Sequence, residues 1–467
     1  MKSTDNSLST FGLVLLVAGQ LLPQIDSSIV NVALDHIGHS LHTNDIGLIL
    51  IVAVYGLSYA ASIAIGGRLG ERYGKKRLFL IGVIGFGFAS IVCGFAYSLS
   101  SMLLGRLMQG LFGALLIPQI LAIIHSSLCG ERHSRAVGIY TSIGGLSFVL
   151  GQSLGGWLVS ANLFDMGWRL TFFINIPVCI FVFFFGLRAI PESQTVETPQ
   201  MDIDGIAIFT LLLSFILVPV SVGSNWPALW WLLIAVIPLG WTLYKLEVRK
   251  ERLGQQPVFP PSLFKTPNFI VGASYLIGIA MTFPGYIFVT ALTLQSKLDF
   301  TPLQSGNTFI SMGLTFFFGS ILSKRMSAKI NNHRYYLIGI AFILVGFITT
   351  TSVMYWQGSH LQVWDLVIAT GLVGFGNSCL VSSAFRTALE NVKQRQASEA
   401  SSVLNTVQQG CIPISAAIAG TIYTSSNGYG DVFAMSYALA SLSVILLMVG
   451  AVSVKRVKTN KMRMDVA

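Results

Sequence analysis

The stretch LLPQIDSSIVNVALD, residues 21–35, is apolar enough to lie in a lipid bilayer, yet it carries an aspartate, Asp26, near its middle. It belongs to an apolar run over about 11–34, which is long enough to cross a membrane as a helix. A charged side chain inside a bilayer costs about 3 kcal/mol on insertion scales. The stretch therefore predicts a membrane helix in which Asp26 has a partner or a function.

The composition of the whole chain also indicates a membrane protein. Its 467 residues are 53% hydrophobic and 10% charged, whereas a soluble domain carries about 25% charged residues. No signal-peptide cleavage pattern precedes the first apolar run, so we expect that run to remain as a span. Fourteen runs have spanning length, at about 11–34, 46–66, 78–98, 101–124, 135–159, 168–188, 203–223, 226–245, 268–293, 303–323, 335–356, 363–386, 398–423 and 431–454. We predict an all-α integral membrane protein with fourteen transmembrane helices.

Lysine and arginine indicate the orientation of the chain. With the N-terminus in the cytoplasm, 26 of the 29 basic residues fall in cytoplasmic segments, and only Arg106, Arg169 and Lys297 fall elsewhere. This bias is the positive-inside pattern. We expect both termini in the cytoplasm and the chain in a cytoplasmic (inner) membrane. The net charge of +10 needs no nucleic-acid partner, because basic inner loops face anionic lipid.

The loops divide the fourteen runs into groups of six, two and six. We predict an N-terminal six-helix bundle over 1–190, a linker and inserted helix pair over 191–246, a cytoplasmic loop over 247–267, and a C-terminal six-helix bundle with a basic tail over 268–467. Two pseudo-symmetric halves are typical of transporters.

The loop GGRLGERYGKKR (66–77) follows the second run. Its glycines permit a tight reversal, and an acid lies among several basic residues. Such a loop can pair with neighbouring helix ends and hold one conformation until it is broken; the alternative is an ordinary positive-inside loop. The candidate residues of this conformational latch are Gly67, Glu71, Arg72, Gly74 and Lys75.

Two further stretches carry candidate residues. LLGRLMQGLFGALLIP (103–118) contains Arg106, for which a functional role is the default hypothesis and snorkelling to the interface is the alternative. IGGLSFVLGQSLGGWL (143–158) repeats small residues every four positions, so another helix can approach closely. The residues of this packing stretch are Ser147, Gly151, Gly155 and Gly156.

The two intramembrane charges are predicted to lie at a similar depth in the membrane. The first span runs outward and the fourth inward, so Asp26 lies about 12 Å and Arg106 about 8 Å below the outer edge at ~1.5 Å per residue. This similar depth allows the two side chains to meet, directly or through water, if their two helices are neighbours. In a wet cavity, protons and a cationic solute would compete for Asp26, and desolvation would favour its protonation. The alternative is a structural lock between the two helices.

These stretches resemble motifs of the major facilitator superfamily. The 66–77 loop is similar to the motif between helices 2 and 3, with Glu71 in place of the usual aspartate, and 103–118 resembles the helix 4 motif. The 143–158 stretch resembles the helix 5 motif of drug/proton antiporters, with Gln152 where that motif has proline. DSSIVNVALD (26–35), GWRLTFFINIPVCI, PVFPPSLFKTPNF and LNTVQQG resemble signatures of the fourteen-spanner drug:proton antiporters.

The resemblance implies two six-helix bundles that alternate access to a central cavity, with an inserted helix pair. It implies that helices 1 and 4 line the cavity in one half and that helices 9 and 12, with their neighbours, line it in the other. The cavity candidates are Gln20, Gln24, Asn31, Gln109, Tyr275, Phe283, Tyr286, Asn307, Phe316 and Asn377. Aromatic side chains near one acid suit a flat lipophilic cation; the alternative is that these aromatics face lipid.

The sequence as a whole predicts proton-coupled efflux of lipophilic, cationic drugs or biocides. The alternatives are an exporter of a dedicated metabolite, fatty acid, siderophore or tetracycline-like compound, and a receptor or assembly factor that transports nothing. We expect no enzyme activity and no metal, because the sequence has no nucleotide-binding loop, catalytic triad or metal-ligand cluster. We also expect no cofactor, because the proton gradient supplies the driving force. We also expect a monomer, which a periplasmic adaptor could assist.

Overall fold

The computed structural model describes residues 8–192, 202–223, 226–327, 330–392, 396–426 and 431–466, and within these ranges the regular structure is entirely helical. The chain forms two compact units, Met1–Thr210 and Leu211–Ala467. The boundary falls inside a helix.

The first unit contains long helices with polar N-caps. The Ser9 and Asn44 side chains accept hydrogen bonds from the backbone N–H groups three residues on, which satisfies donors that a helix start leaves unpaired. The helices are α1 (Thr10–Ser40), α2 (Asp45–Tyr73), α3 (Lys75–Gly94), α4 (Leu99–Ser127), α5 (Gly130–Ala161), α6 (Leu170–Phe173) and α7 (Asn175–Ala189).

The second unit begins within the next helix. Several of its elements start with proline at the first turn, where the missing N–H removes no helical hydrogen bond. The helices are α8 (Ile203–Val222), α9 (Leu232–Arg252), α10 (Pro261–Phe264), α11 (Pro267–Ala280), α12 (Phe283–Ser296), α13 (Pro302–Thr308), α14 (Ile310–Ser327), α15 (Asn332–Gln357), α16 (Val367–Leu389), α17 (Ala397–Ser425) and α18 (Asp431–Val466).

All fourteen apolar runs lie on helical segments. In the described part of the chain, eleven are long and apolar enough to cross a membrane. The remaining three, 135–159, 303–323 and 398–423, coincide with α5, with α13 and α14, and with α17. Membrane crossing by these three stays a prediction, so the fold is that of a multi-pass helical membrane protein with at least eleven candidate spans.

The chain reversal predicted over 66–77 occupies fewer residues than the sequence indicated. Helix α2 continues to Tyr73, so the turn is at Gly74, whose φ of 96° favours glycine. The prediction that Gly67 belongs to the turn is wrong, because it lies inside α2. Gly70 also lies in the helix, where a Cβ would come within 1.8 Å of Gln119 Oε1 on α4. Gly70 therefore permits close packing of α2 on α4.

The small residues of α5 pack against α1, as predicted. A Cβ at Gly151 would lie 1.8 Å from Ser28 Oγ, and one at Gly155 would lie 2.7 Å from Ile29 Cγ1. Ser147 is fully buried, and Gly156 is also buried. Removing a side chain at these positions lets two membrane helices approach closely, which fixes α1 and the polar residues that it carries.

Candidate functional site

The structure brings Asp26 and Arg106 into direct contact. Arg106 Nη1 on α4 donates to Asp26 Oδ2 on α1. The exposed fractions are 0% for Asp26 and 1% for Arg106. The predicted contact is therefore confirmed, and snorkelling of Arg106 to the interface does not occur. The carboxylate is buried inside the first unit, and a wet cavity around it stays a prediction.

Two amide side chains satisfy the other carboxylate oxygen. Gln109 Nε2 donates to Asp26 Oδ1 over 2.8 Å, and Asn175 Nδ2, at the start of α7, donates to it over 3.1 Å. The Gln109 carbonyl accepts from Arg106 Nη1 over 2.8 Å. Asp26 thus accepts hydrogen bonds from three side chains, and bonds to an ionised carboxylate are stronger than neutral ones.

Ser90 on α3 joins the two amides. Its Oγ accepts from Gln109 Nε2 over 3.0 Å and from Asn175 Nδ2 over 3.2 Å, and it donates to Phe86 O over 2.9 Å. Gln109, Asn175 and Ser90 are all buried. Each amide nitrogen therefore donates both to the Asp26 carboxylate and to Ser90 on α3, and these two bonds fix the position of the amide group.

Helix α2 contacts the rest of the Arg106 guanidinium group. Its Nε donates to Ile51 O over 3.3 Å, and its guanidinium carbon lies 4.1 Å from the centroid of the Tyr55 ring. The Tyr55 hydroxyl in turn donates to Pro23 O on α1 over 2.8 Å. The Asp26 network, defined as Asp26, Tyr55, Ser90, Arg106, Gln109 and Asn175, draws on five helices of one unit. Such a buried pair is strongly destabilised when one partner is removed.

Three members of this network were not predicted from the sequence. Asn175 lies within GWRLTFFINIPVCI, a stretch noted only for its resemblance, and a polar residue between apolar neighbours there was the available signal. Ser90 and Tyr55 carry no such signal, because serine and tyrosine are common in membrane helices. Gln109, a cavity candidate, belongs to this network, and its place in a substrate cavity stays a prediction.

A second polar set occupies another face of α1. We call Gln20, Gln24, Ser27 and Asn31 the amide stripe. Gln20 Nε2 donates to Tyr140 O over 2.8 Å, and Gln24 Oε1 accepts from Ser147 Oγ over 2.9 Å, both on α5. At ~100° per residue, these side chains lie about 100–160° around the helix from Asp26. Asp26 and the stripe therefore face different neighbours.

The two tyrosine candidates of the second unit are stacked on other rings. Tyr275 stacks on Tyr336 with ring centroids 3.6 Å apart, and its hydroxyl lies 2.5 Å from His333 Nδ1. Tyr286 stacks on Phe347 at 4.9 Å. Both tyrosines are fully buried. Their faces are already occupied by these neighbours.

The other cavity candidates of the second unit differ in burial. Asn377 is buried, and its Oδ1 has no hydrogen-bond partner among the described residues. Phe283, Asn307 and Phe316 are half-buried. Their place in a substrate cavity stays a prediction.

The 66–77 loop is tied to helix ends of its own unit. Lys75 Nζ donates to Ala122 O near the end of α4, over 3.3 Å. Lys76 Nζ donates to Leu187 O on α7 over 2.8 Å and pairs with Glu192 at 3.0 Å. Glu71 and Arg72 are exposed. The predicted contacts with helix ends are present, and the latch role stays a prediction.

Comparison with known protein families supplies a match over most of the chain. The Major Facilitator Superfamily matches residues 16–417. The "Probable actinorhodin transporter" of Streptomyces coelicolor is 29% identical over 416 residues, 88% of this chain and 72% of that protein. The puromycin resistance protein of Streptomyces alboniger is 27% identical over 89% of this chain and 82% of that protein. The methylenomycin A resistance protein of Bacillus subtilis is 24% identical over 95% of this chain and 96% of that protein.

Solved structures with the same fold are more distant in sequence. An inward-facing bacterial homologue of the human lysosomal transporter Spinster superposes with a TM-score of 0.68 at 15% identity, covering 98% of both chains. An auto-inhibited peptide transporter of the POT family gives a TM-score of 0.68 at 13% identity, covering 96% of this chain and 97% of that one. At this identity the likeness concerns the fold.

Proposed function

This chain belongs to the Major Facilitator Superfamily and is a multi-pass membrane transporter of the drug-efflux type, and we propose that it couples drug export to the proton gradient through Asp26. We place it within the fourteen-spanner branch, in the cytoplasmic membrane with both termini inside, working as a monomer. The buried Asp26–Arg106 pair is the observation that carries the coupling proposal.

The network supplies a physical route for coupling. Protonation of Asp26 removes the negative charge that holds Arg106, Gln109 and Asn175, so the charge-assisted hydrogen bonds between α1, α4 and α7 weaken. A buried arginine without a counter-charge is unfavourable, so these helices then have a reason to rearrange. Proton binding thereby favours a second arrangement of the bundle, which is the requirement for alternating access.

A preference for cationic drugs was predicted from the sequence on the premise that Asp26 is open to the solute. The carboxylate instead accepts from three side chains, and a cation would have to displace Arg106. We therefore base the efflux proposal on relatives named for resistance to, or export of, antibiotics of different chemistry. The alternative of a dedicated metabolite exporter in the same fold predicts export of one compound class and no protection against a mixed drug panel.

The coupling proposal is tested in proteoliposomes that contain the full chain, with drug flux measured under an imposed pH gradient. The wild type should show gradient-driven drug flux accompanied by opposite proton movement. Asp26→Asn should lose that flux but retain drug exchange between the two sides, which needs no proton. Gradient-driven flux in Asp26→Asn at the wild-type rate would contradict the role of Asp26.

A further inference from the structure

A pair of histidines joins the ends of α4 and α5, at the far end of α4 from Arg106. His125 lies in the last turn of α4, and His133 lies near the start of α5. His133 Nε2 is 2.6 Å from His125 Nδ1, and the two ring centroids are 4.7 Å apart. A hydrogen bond between two ring nitrogens needs a hydrogen on one and a lone pair on the other. The two helices therefore direct two nitrogen atoms at one point.

The histidine pair lies beside the beginning of the chain and is open to water. Arg132 Nη2, at the start of α5, donates to Leu8 O just before α1, over 3.0 Å. With the N-terminus inside, as proposed, this is the cytoplasmic side. His125 is exposed and His133 is half-buried. Dissolved ions can therefore reach both rings from the cytoplasm.

Two imidazole nitrogens that converge in this way are a metal-binding arrangement. Neutral imidazole is the commonest side-chain ligand of metals in proteins. Zn–N bonds of about 2.0–2.1 Å put two nitrogens on one tetrahedral Zn²⁺ roughly 3.3 Å apart. The two rings reach that separation by opening about 0.7 Å from their present contact. Side-chain rotation at the surface supplies such a movement without displacing either helix.

The histidine pair offers two protein ligands, and water would complete the coordination. In the described part of the chain, no group of three histidine, cysteine, aspartate or glutamate side chains is placed to hold a metal ion. The Lys75 ammonium lies close enough to His125 to act on it electrostatically, and it repels a cation. Both features favour loose, reversible binding. Nitrogen ligands select Cu²⁺, Ni²⁺ and Zn²⁺ over Mg²⁺ and Ca²⁺, which take oxygen ligands.

A metal at this position would join two helices whose relative movement the coupling proposal requires. Helix α5 packs closely on α1, where Gly151 leaves room for Ser28. Helix α4 is held to α1 by the Asp26–Arg106 pair, and protonation of Asp26 weakens that pair. Movement of α4 away from α1 then also moves it relative to α5. Metal–ligand bonds fix the separation of the two helix ends and so oppose this movement.

We propose that His125 and His133 form an inhibitory site for a divalent transition metal, and that the bound metal slows transport by holding α4 against α5. The inhibitory role rests on the proposed efflux function, whereas metal binding does not. The site makes export sensitive to free Zn²⁺, Ni²⁺ or Cu²⁺ on the side of the membrane where the chain begins.

Metal binding is tested first, on the full chain purified in detergent without a histidine tag. Competition with a chromophoric chelator measures the Kd for Zn²⁺. His125→Asn and His133→Asn should each raise this Kd roughly 10-fold or more, because each removes one of two protein ligands. His360→Asn is the matched control and should bind as the wild type does, since His360 is an exposed histidine of the second unit. Lys75→Gln should lower the Kd, because it removes a repelling charge.

Inhibition is tested in the proteoliposomes of the coupling experiment. Zn²⁺ should slow drug flux through the wild type, and EDTA should restore it. Without metal, His125→Asn and His133→Asn should transport at the wild-type rate, because the pair lies at the far end of α4 from Arg106. The Zn²⁺ concentration that halves flux should rise in both variants by the same factor as the Kd. His360→Asn should stay as sensitive to Zn²⁺ as the wild type.

The outcomes separate the metal site from the efflux function. An unchanged Kd in both histidine variants would overturn the site. Cys129, an exposed cysteine between the two helices, gives a second check: a loss of binding in Cys129→Ser as large as in the histidine variants would also overturn the pair. Zn²⁺ binding that leaves flux unchanged would overturn the inhibitory role alone. Absence of drug flux from the wild type would overturn the efflux proposal and the inhibitory role, while the Kd values would still decide the site.

Discussion

Two buried clusters, one in each unit, show how differently the two parts of this chain use their interiors. The Asp26 network in the first unit contains an ion pair and four further polar side chains. The cluster in the second unit stacks Tyr275 on Tyr336 and Tyr286 on Phe347 without an acid. The comparison places a buried ion pair in the first unit and stacked aromatic pairs in the second. Under the coupling proposal, we expect the first unit to carry the proton-dependent step.

The two units also differ in the basic side chains that bind helix ends near their loops. In the first unit, Lys75 and Lys76 bind carbonyls at the ends of α4 and α7. In the second unit, Arg386 of α16 binds Ser323 O over 3.1 Å and Ser323 Oγ over 2.7 Å. The loop after Ser323 has neither the glycines nor the acid of 66–77. The glycine turn of the first unit therefore has no counterpart in the sequence of 323–334, and we expect any latch there to be weaker.

The largest expected effect comes from removing one charge of the Asp26 network. Asp26→Asn leaves Arg106 buried without a counter-charge, and we expect a loss of about 3–5 kcal/mol in the free energy of unfolding. Denaturant unfolding of the purified protein in detergent measures this loss. The double variant Asp26→Asn/Arg106→Gln should recover most of the stability, since it removes both charges, but it should not recover proton-coupled flux.

Equal stability of Asp26→Asn and the wild type would contradict the view that the pair is held in a low-dielectric interior. Recovery of proton-coupled flux in the double variant would contradict the role of Asp26 in coupling while leaving its structural role intact.

The next effect concerns Asn175, which the structure adds to the site. Asn175→Leu removes a hydrogen bond to a carboxylate, and we expect a loss of about 1.5–3 kcal/mol in stability. Because Asn175 donates to Asp26 Oδ1 and helps to hold that carboxylate in place, drug flux should also fall. Thr350→Val is the control, since it removes a neutral bond of 3.1 Å to Tyr286 in the second unit. An equal loss of drug flux in Thr350→Val would show that the effect is not specific to the network.

A smaller effect is expected at the turn between α2 and α3. Gly74→Ala places a side chain at a φ of 96°, which costs about 1–2 kcal/mol. Gly67→Ala should instead be neutral or stabilising, because Gly67 lies within α2 and a Cβ there would meet Pro118 Cβ at an ordinary 3.7 Å. Melting temperatures of the two variants measure the difference. Equal destabilisation by the two variants would support the broader turn that the sequence predicted, in which Gly67 takes part.

The smallest effect is expected in the aromatic cluster. Tyr286→Phe removes one neutral hydrogen bond and keeps the stack on Phe347, so we expect a change of about 1 kcal/mol or less in stability. Drug flux and its pH dependence should match the wild type. A loss of flux in Tyr286→Phe without a loss of stability would place a substrate or proton role in the second unit and break the contrast between the units.

Part of the site could be predicted from the sequence because membranes penalise charge so strongly. A single acid and a single arginine deep within apolar runs have few alternatives to pairing. Their similar depth, together with the resemblance that places helices 1 and 4 along one cavity, predicted that Asp26 and Arg106 meet. The small-residue spacing of α5 likewise predicted close packing, because a missing side chain has the same effect wherever the partner helix comes from. The turn was predicted too broadly, since the extent of α2 past Gly67 depends on its packing against α4.

The sequence by itself determined that this is a helical membrane protein with a charged pair in its interior, because hydrophobicity and charge act locally along the chain. Only the tertiary structure decided what surrounds that pair. Tyr55, Ser90 and Asn175 come from three other helices, and their convergence depends on how those helices pack. Packing also decided that Asp26 faces into the bundle while the amide stripe lies on another face of α1. Burial and hydrogen-bond saturation are properties of that arrangement.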